Sequence, residues 1–166
     1  MNISVIGGER CPPEALAAAE TVGRELAKLG ATVVCGGRGG VMEAVCRGAL
    51  EGGGHTIGIM PGRNAEDTPP NDYVEFPIFT GMGYARNVMV VLSGEAVIAI
   101  AGSYGTLSEI SYCLINEIPL VGIDTWEFAY KGHASDQIIR VSDPVQAAAT
   151  AVSLARSRRK AVTGEG

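Results

Sequence analysis

Lysine is scarce in this chain: Lys28, Lys131 and Lys160 are the only three among 166 residues. The first ends a helical pattern, the second sits in a polar loop and the third lies in the tail. None is placed for a Schiff base, which argues against a pyridoxal-phosphate decarboxylase. Metal chemistry is as poorly provided. His55 and His133 are far apart, and Cys11, Cys35, Cys46 and Cys113 form no C-x-x-C pair. No metal site and no bound cofactor are therefore expected, and a reducing cytoplasm is the simplest setting. No apolar run reaches the length of a membrane span, and no basic and apolar leader precedes the first strand, so neither a membrane partner nor a signal peptide is expected. A net charge of −5 argues against a nucleic-acid surface. The one basic cluster, Arg156, Arg158, Arg159 and Lys160, closes a helical segment, where cations are favoured in any case. Three motifs are also missing: G-x-G-x-x-G with an acidic residue ending the second strand, G-x-x-x-x-G-K-S/T, and G-x-S-x-G. Their absence excludes the common NAD fingerprint, a Walker-type NTPase and a nucleophile elbow.

Glycine, by contrast, is abundant at 23 residues, and it falls at the ends of apolar runs rather than in repeats. Short apolar runs predict strands over 3–7, 31–35, 56–60, 73–79, 96–100, 120–123 and 138–141. Between them, apolar residues recur at helical spacing. Leu16, Ala19, Val22, Leu26 and Leu29 mark a helix over 14–29, stopped by Gly30. Val41, Met42, Val45 and Leu50 mark a second, ended by Gly52. Short helix 87–93 follows, then one through Leu107, Ile110 and Leu114 that stops near Pro119. An alanine-rich last helix runs from Asp143 and Pro144 to about Arg159. Strands alternating with helices through short crossovers predict a single-domain, Rossmann-like, doubly wound α/β fold over 1–160. Its sheet should be mostly parallel, with about seven strands and helices on both faces, and 161–166 should form a frayed tail. The proline-rich loop over 61–72 is either a lid or plain surface.

In such sheets ligands bind beyond the carboxyl ends of the strands, near the switch in strand order. Three glycine turns should gather there: Gly7 and Gly8 after the first strand, Gly36, Gly37, Arg38, Gly39 and Gly40 after the second, and Gly102, Ser103, Tyr104, Gly105 and Thr106 after the fifth. The last of these leads straight into a helix, whose free N–H groups and dipole favour an anion, phosphate above all. Arg86 and Glu109 start the helices on either side of the fifth strand and could face one cleft. The plainer alternatives are a surface ion pair for Arg86, and Thr106 as an N-cap with Glu109 closing a capping box. Helix 87–93 has Val88, Val91 and Leu92 on one face but Met89 and Val90 on the other, a pattern that calls for cover from a homodimer or homotetramer.

Two segments, Tyr84-Ala85-Arg86-Asn87 and Ala101-Gly102-Ser103-Tyr104-Gly105-Thr106-Leu107-Ser108-Glu109, together resemble the LOG (Lonely Guy) family of cytokinin-activating phosphoribohydrolases. That family carries Arg-Lys followed by P-G-G-x-G-T-x-x-E, and its G-G-x-x-G-x-M turn is similar to the stretch from Gly36 to Met42. The resemblance implies that its essential arginine and glutamate fall on Arg86 and Glu109, and its phosphate turn on Gly102, Ser103, Gly105 and Thr106. Asn87, Tyr84, Ala101 and Ser103 stand where the family has lysine, histidine, proline and the second glycine. These departures bring the chain closer to the bacterial branch that includes molybdenum cofactor carrier proteins. The implied ligand is a phosphorylated small molecule, similar to a nucleoside 5′-monophosphate. As an enzyme the chain would hydrolyse the N-glycosidic bond. The alternative is a carrier that binds a phosphorylated cofactor without turnover.

Overall fold

A computed structural model describes residues 1–134 and 137–163. Apolar runs become strands and amphipathic stretches become helices, alternating except between β3 and β4 and from β6 to β9. The elements are β1 (Asn2–Gly7), α1 (Pro13–Lys28), β2 (Thr32–Cys35), α2 (Val41–Glu51), β3 (Thr56–Met60), β4 (Phe76–Phe79), a 3₁₀ turn (Gly83–Arg86) and α3 (Asn87–Leu92). Then come β5 (Ala96–Ile100), α4 (Tyr104–Ile115), β6 (Leu120–Ile123), a small hairpin of β7 (Ala129–Tyr130) and β8 (His133–Ala134), β9 (Ile139–Arg140) and α5 (Pro144–Thr163). The expected tail over 161–166 thus falls partly on α5 and partly, at 164–166, outside the described residues.

Seven parallel strands form one sheet in the order β4-β3-β2-β1-β5-β6-β9. The chain winds outward from β1 through β4, then returns past β1 to lay down β5 on the other side. Ile3 accordingly faces Val33 of β2 on one flank and Ala96 of β5 on the other. The central strands are mostly apolar because helices cover both sides; β5 is buried at every position. One core joins α1, α2 and α5 to the sheet through residues such as Val22, Leu26, Val45 and Ala151. The opposite core is built from Val90 and Val91 of α3 and Ile110 and Cys113 of α4.

Several boundaries differ from expectation for local reasons. The fourth strand begins at Phe76 rather than 73, because Asn71 folds the preceding chain into a turn, its Oδ1 accepting the Tyr73 N–H at 3.0 Å. Asn71 also ties the proline-rich loop to the β2 turn: its N–H donates to Gly37 O at 2.9 Å and its Nδ2 to Arg38 O at 2.8 Å. On α3, Asn87, Val90 and Val91 are buried, whereas Met89 and Leu92 face outward. The expected pairing of Leu92 with Val91 on a buried face is therefore wrong. Val90, expected on the other face, is buried beside Val91, and Leu92 falls outside.

Candidate functional site

The strand order reverses between β1 and β5, and the carboxyl ends of these strands open on a cavity of about 550 Å³. That volume suits a nucleotide-sized ligand. Gly7 from β1, Arg38 from the β2 turn, Arg86 from the 3₁₀ turn, and Ser103, Tyr104, Gly105, Thr106 and Glu109 from the start of α4 all line it. The other expected residues, Gly8, Gly36, Gly37, Gly39, Gly40 and Gly102, are not part of this lining; Gly39 and Gly40 border neighbouring depressions. Gly8 O accepts the first N–H of α2, from Val41, at 3.1 Å. Gly40, at φ +66°, leaves room for the carbonyls of Gly8 and Glu9. Gly36 matters most for the site, since a Cβ there would lie 2.6 Å from Arg86 Nη2. Only glycine lets that guanidinium settle against the turn.

The start of α4 differs from the plainer expectation. Ser103, not Thr106, is the N-cap; Thr106 sits three positions on, where its hydroxyl accepts the Ser103 N–H at 3.4 Å. Glu109 is therefore in the second turn of the helix, out of reach of the cap, and it turns inward. It is 6% exposed and Arg86 is 7% exposed, so neither is a surface group. Their nearest atoms, Arg86 Nη1 and Glu109 Oε1, are 3.6 Å apart. The same Nη1 donates to Asn87 Oδ1 at 2.8 Å and Nη2 to Gly36 O at 3.3 Å. Among the described residues Arg86 Nε has no hydrogen-bond partner. Burial pushes the Glu109 carboxyl up to about 8 against the pull of Arg86, and burial likewise holds Arg86 below the usual arginine range. The floor of the cavity is thus a loosely matched pair, with a carboxyl that keeps its proton at neutral pH.

Five lining residues were not among the expected site residues: Glu9, Met42, Tyr84, Asn87 and Ser108. Asn87 is the most consequential. Its Oδ1 holds Arg86, while its Nδ2 donates to Ser108 Oγ at 3.0 Å, fastening the arginine to α4. Its adjacency to Arg86 was the available signal. Glu9 forms an ion pair with Arg38 at 3.2 Å across the mouth, which no spacing in the sequence announced.

Around the turn, Ala101 takes φ +48° and its N–H donates to Ile123 O at 3.0 Å. Thr125 Oγ1 donates to Ala101 O at 2.6 Å, and Trp126 Nε1 donates to Ser103 O at 3.2 Å. The segment after β6 therefore braces the start of α4.

A sequence model of the SLOG cluster4 family matches residues 1–149. The chain belongs to the SLOG cluster4 family. Among solved structures, this SLOG cluster4 chain is similar to the molybdenum cofactor binding protein of Rippkaea orientalis, with 34% identity and a TM-score of 0.81 over 92% of this chain and 94% of that one. It is also similar to the Moco carrier protein of Chlamydomonas reinhardtii, with 31% identity and a TM-score of 0.81 over 95% of this chain and 98% of that one. Among curated proteins it matches the cytokinin riboside 5′-monophosphate phosphoribohydrolase LOG of Oryza sativa subsp. japonica, 32% identical over 99 residues. That match takes in 56% of this SLOG cluster4 chain and only 39% of the rice protein.

Proposed function

We propose that this protein binds a phosphorylated small molecule, similar to a nucleoside 5′-monophosphate, with the phosphate on the first amides of α4 and the remainder over Arg86 and Glu109. One observation carries the reading. The free N–H end of α4 and a buried arginine with an unused Nε share one cavity, and both are built to meet negative charge. An anionic ligand also supplies countercharge to Arg86, whose neighbour Glu109 is held above the usual carboxylate range by burial.

Carriage without turnover is the finer reading we favour. The likeness that spans nearly the whole chain is to molybdenum cofactor proteins, whereas the phosphoribohydrolase match spans a little over half of it. A hydrolase is the second reading, favoured by the burial of Arg86 and Glu109 together. In that reaction water adds to the anomeric carbon, the N-glycosidic bond breaks, and the base leaves with a proton. A carboxyl pushed up to about 8 is protonated at pH 7 and can give that proton.

Incubation with AMP, with free base followed by chromatography, separates the two. A carrier stabilises against heat in AMP and releases no adenine over hours. A hydrolase releases adenine, and Glu109→Gln lowers the rate on the order of a hundredfold with affinity nearly unchanged. Protein that neither binds nor cleaves any phosphorylated ligand defeats both.

A further inference from the structure

Two tyrosines stand at the cavity mouth in an unusual condition. Tyr84 is 82% exposed and Tyr104 is 81% exposed, although both line the cavity. Aromatics make up only 5% of the chain, so two bare rings at one opening are a large share of the supply. A phosphate needs neither: the α4 amides, Ser103, Thr106 and Arg86 serve it, and none of these reads a ring. Tyr104 is also held as a platform. Its ring lies 5.9 Å from that of Trp126 at an interplanar angle of 34°. Trp126 is fixed in turn, its Nε1 donating to Ser103 O at 3.2 Å and its carbonyl accepting Arg140 Nη2 at 2.9 Å. A braced ring beside an anion site offers a flat apolar face to whatever the anion is attached to.

We propose that Tyr84 and Tyr104 are the ring-binding residues of this site, on which the planar heterocycle of the nucleotide-like ligand stacks. The inference rests on the proposed ligand above and adds which residues hold its ring end. It also makes these two residues the determinants of preference for a ring over a bare sugar phosphate. Base–aromatic stacking tolerates many rings because each presents a π face, so purines and pterin-like rings compete for one place.

The test compares AMP and flavin mononucleotide with ribose 5-phosphate, using wild type, Tyr84→Leu, Tyr104→Leu, the two phenylalanine variants and the double leucine variant. Binding is read by calorimetry and by the emission of Trp126, the sole tryptophan. In wild type, ring-bearing ligands bind about tenfold or more tighter than ribose 5-phosphate, and they alone change Trp126 emission. Each leucine variant loses about tenfold for the ring ligands and little for ribose 5-phosphate, while phenylalanine at either position keeps the wild-type preference. Equal affinity of wild type for ribose 5-phosphate and AMP overturns the ring inference alone and leaves the phosphate reading standing. So does a leucine variant that weakens all three ligands equally. If the tyrosines are instead covered by a second copy of the chain, the leucine variants change the mass in light scattering and leave the ligand preference intact, which also overturns it. Wild type that binds none of the three ligands removes the phosphate reading and the ring inference together.

Discussion

Replacing Glu109 by glutamine should stabilise the protein, and by an amount that grows with pH. The carboxyl titrates near 4.5 in an unfolded chain and is pushed up to about 8 by burial in the folded one. Below pH 4.5 it is neutral in both states and contributes no pH dependence. Between pH 4.5 and 8 the unfolded chain releases the proton while the folded chain keeps it, so stability falls as pH rises, by up to about 1.4 kcal/mol per pH unit. Across the whole interval the loss reaches roughly 5 kcal/mol, a ceiling because a buried site that ionises can admit water. Glutamine fills the same space and has no proton to lose. The difference between variant and wild type should therefore be small at pH 5 and several kcal/mol at pH 8. In a chain of 166 residues that is on the order of 10 °C in melting temperature. Thermal and urea melts at pH 5, 6.5 and 8, without phosphate or other ligand, give the comparison directly. Parallel pH profiles for wild type and Glu109→Gln would refute the argument, since they would mean the carboxyl titrates alike in both states. Arg86→Met supplies the control: with its cation gone, the Glu109 midpoint should move higher still, because Arg86 is what pulls it down.

Four further outcomes are expected. Crystals grown in sulfate should show an anion on the backbone N–H groups between Gly102 and Thr106, and a filled or inward-facing turn there would count against the site. Ala101→Pro, which restores the residue of the LOG pattern, should destabilise the protein by about 3 kcal/mol or more in melts, because proline cannot take φ +48° and has no N–H for Ile123 O; unchanged stability would mean that this turn is misdescribed. Gly23→Ala should cost about 1–3 kcal/mol, since a Cβ there collides with the Val45 carbonyl where α1 crosses α2; a neutral result would show that the helices can part freely. Light scattering should give a multiple of 17.2 kDa, because Met89, Leu92 and Ile115 leave apolar surface on α3 and α4 open; a monomer at high concentration ends the expectation of a dimer or tetramer.

The fold was legible because its signals are redundant. Apolar strands, helical spacing and glycine at the strand ends all agree on a parallel α/β sheet, and the switch between β1 and β5 follows once the order is known. The chemistry of the site was legible only as residue types. Arg86 and Glu109 stood out beside the glycine turn, but nothing local to either said that both are buried, because burial comes from the packing of α3 and α4 on the sheet. The Thr106 alternative failed for a related reason: a capping box can be written from either of two hydroxyls, and the backbone turn at Gly102 selects Ser103. Contacts between distant segments were least legible. Trp126 lies 23 residues from Ser103 in sequence and still braces it. Cys35 and Cys46, which form no C-x-x-C pair in sequence, meet at 3.4 Å.

The placement of β1 between β2 and β5 has a consequence for how the molecule comes into being. β1 leaves the ribosome before its partners, and one of its two neighbours is encoded about ninety residues later, as the pairing of Ile3 with Ala96 records. At typical synthesis rates β1 waits on the order of 5–20 s for that partner, with one edge unpaired. The half made of β1 to β4 is synthesised first, and it lacks α4, Glu109 and the α4 amides proposed to hold the phosphate. Such pairing between remote segments also slows refolding of the finished chain. On the proposed reading, ligand binding waits for the second half of the chain: a form that has packed only β1 to β4 lacks the α4 amides and Glu109, and a bound phosphate would report that β5 and α4 are in place.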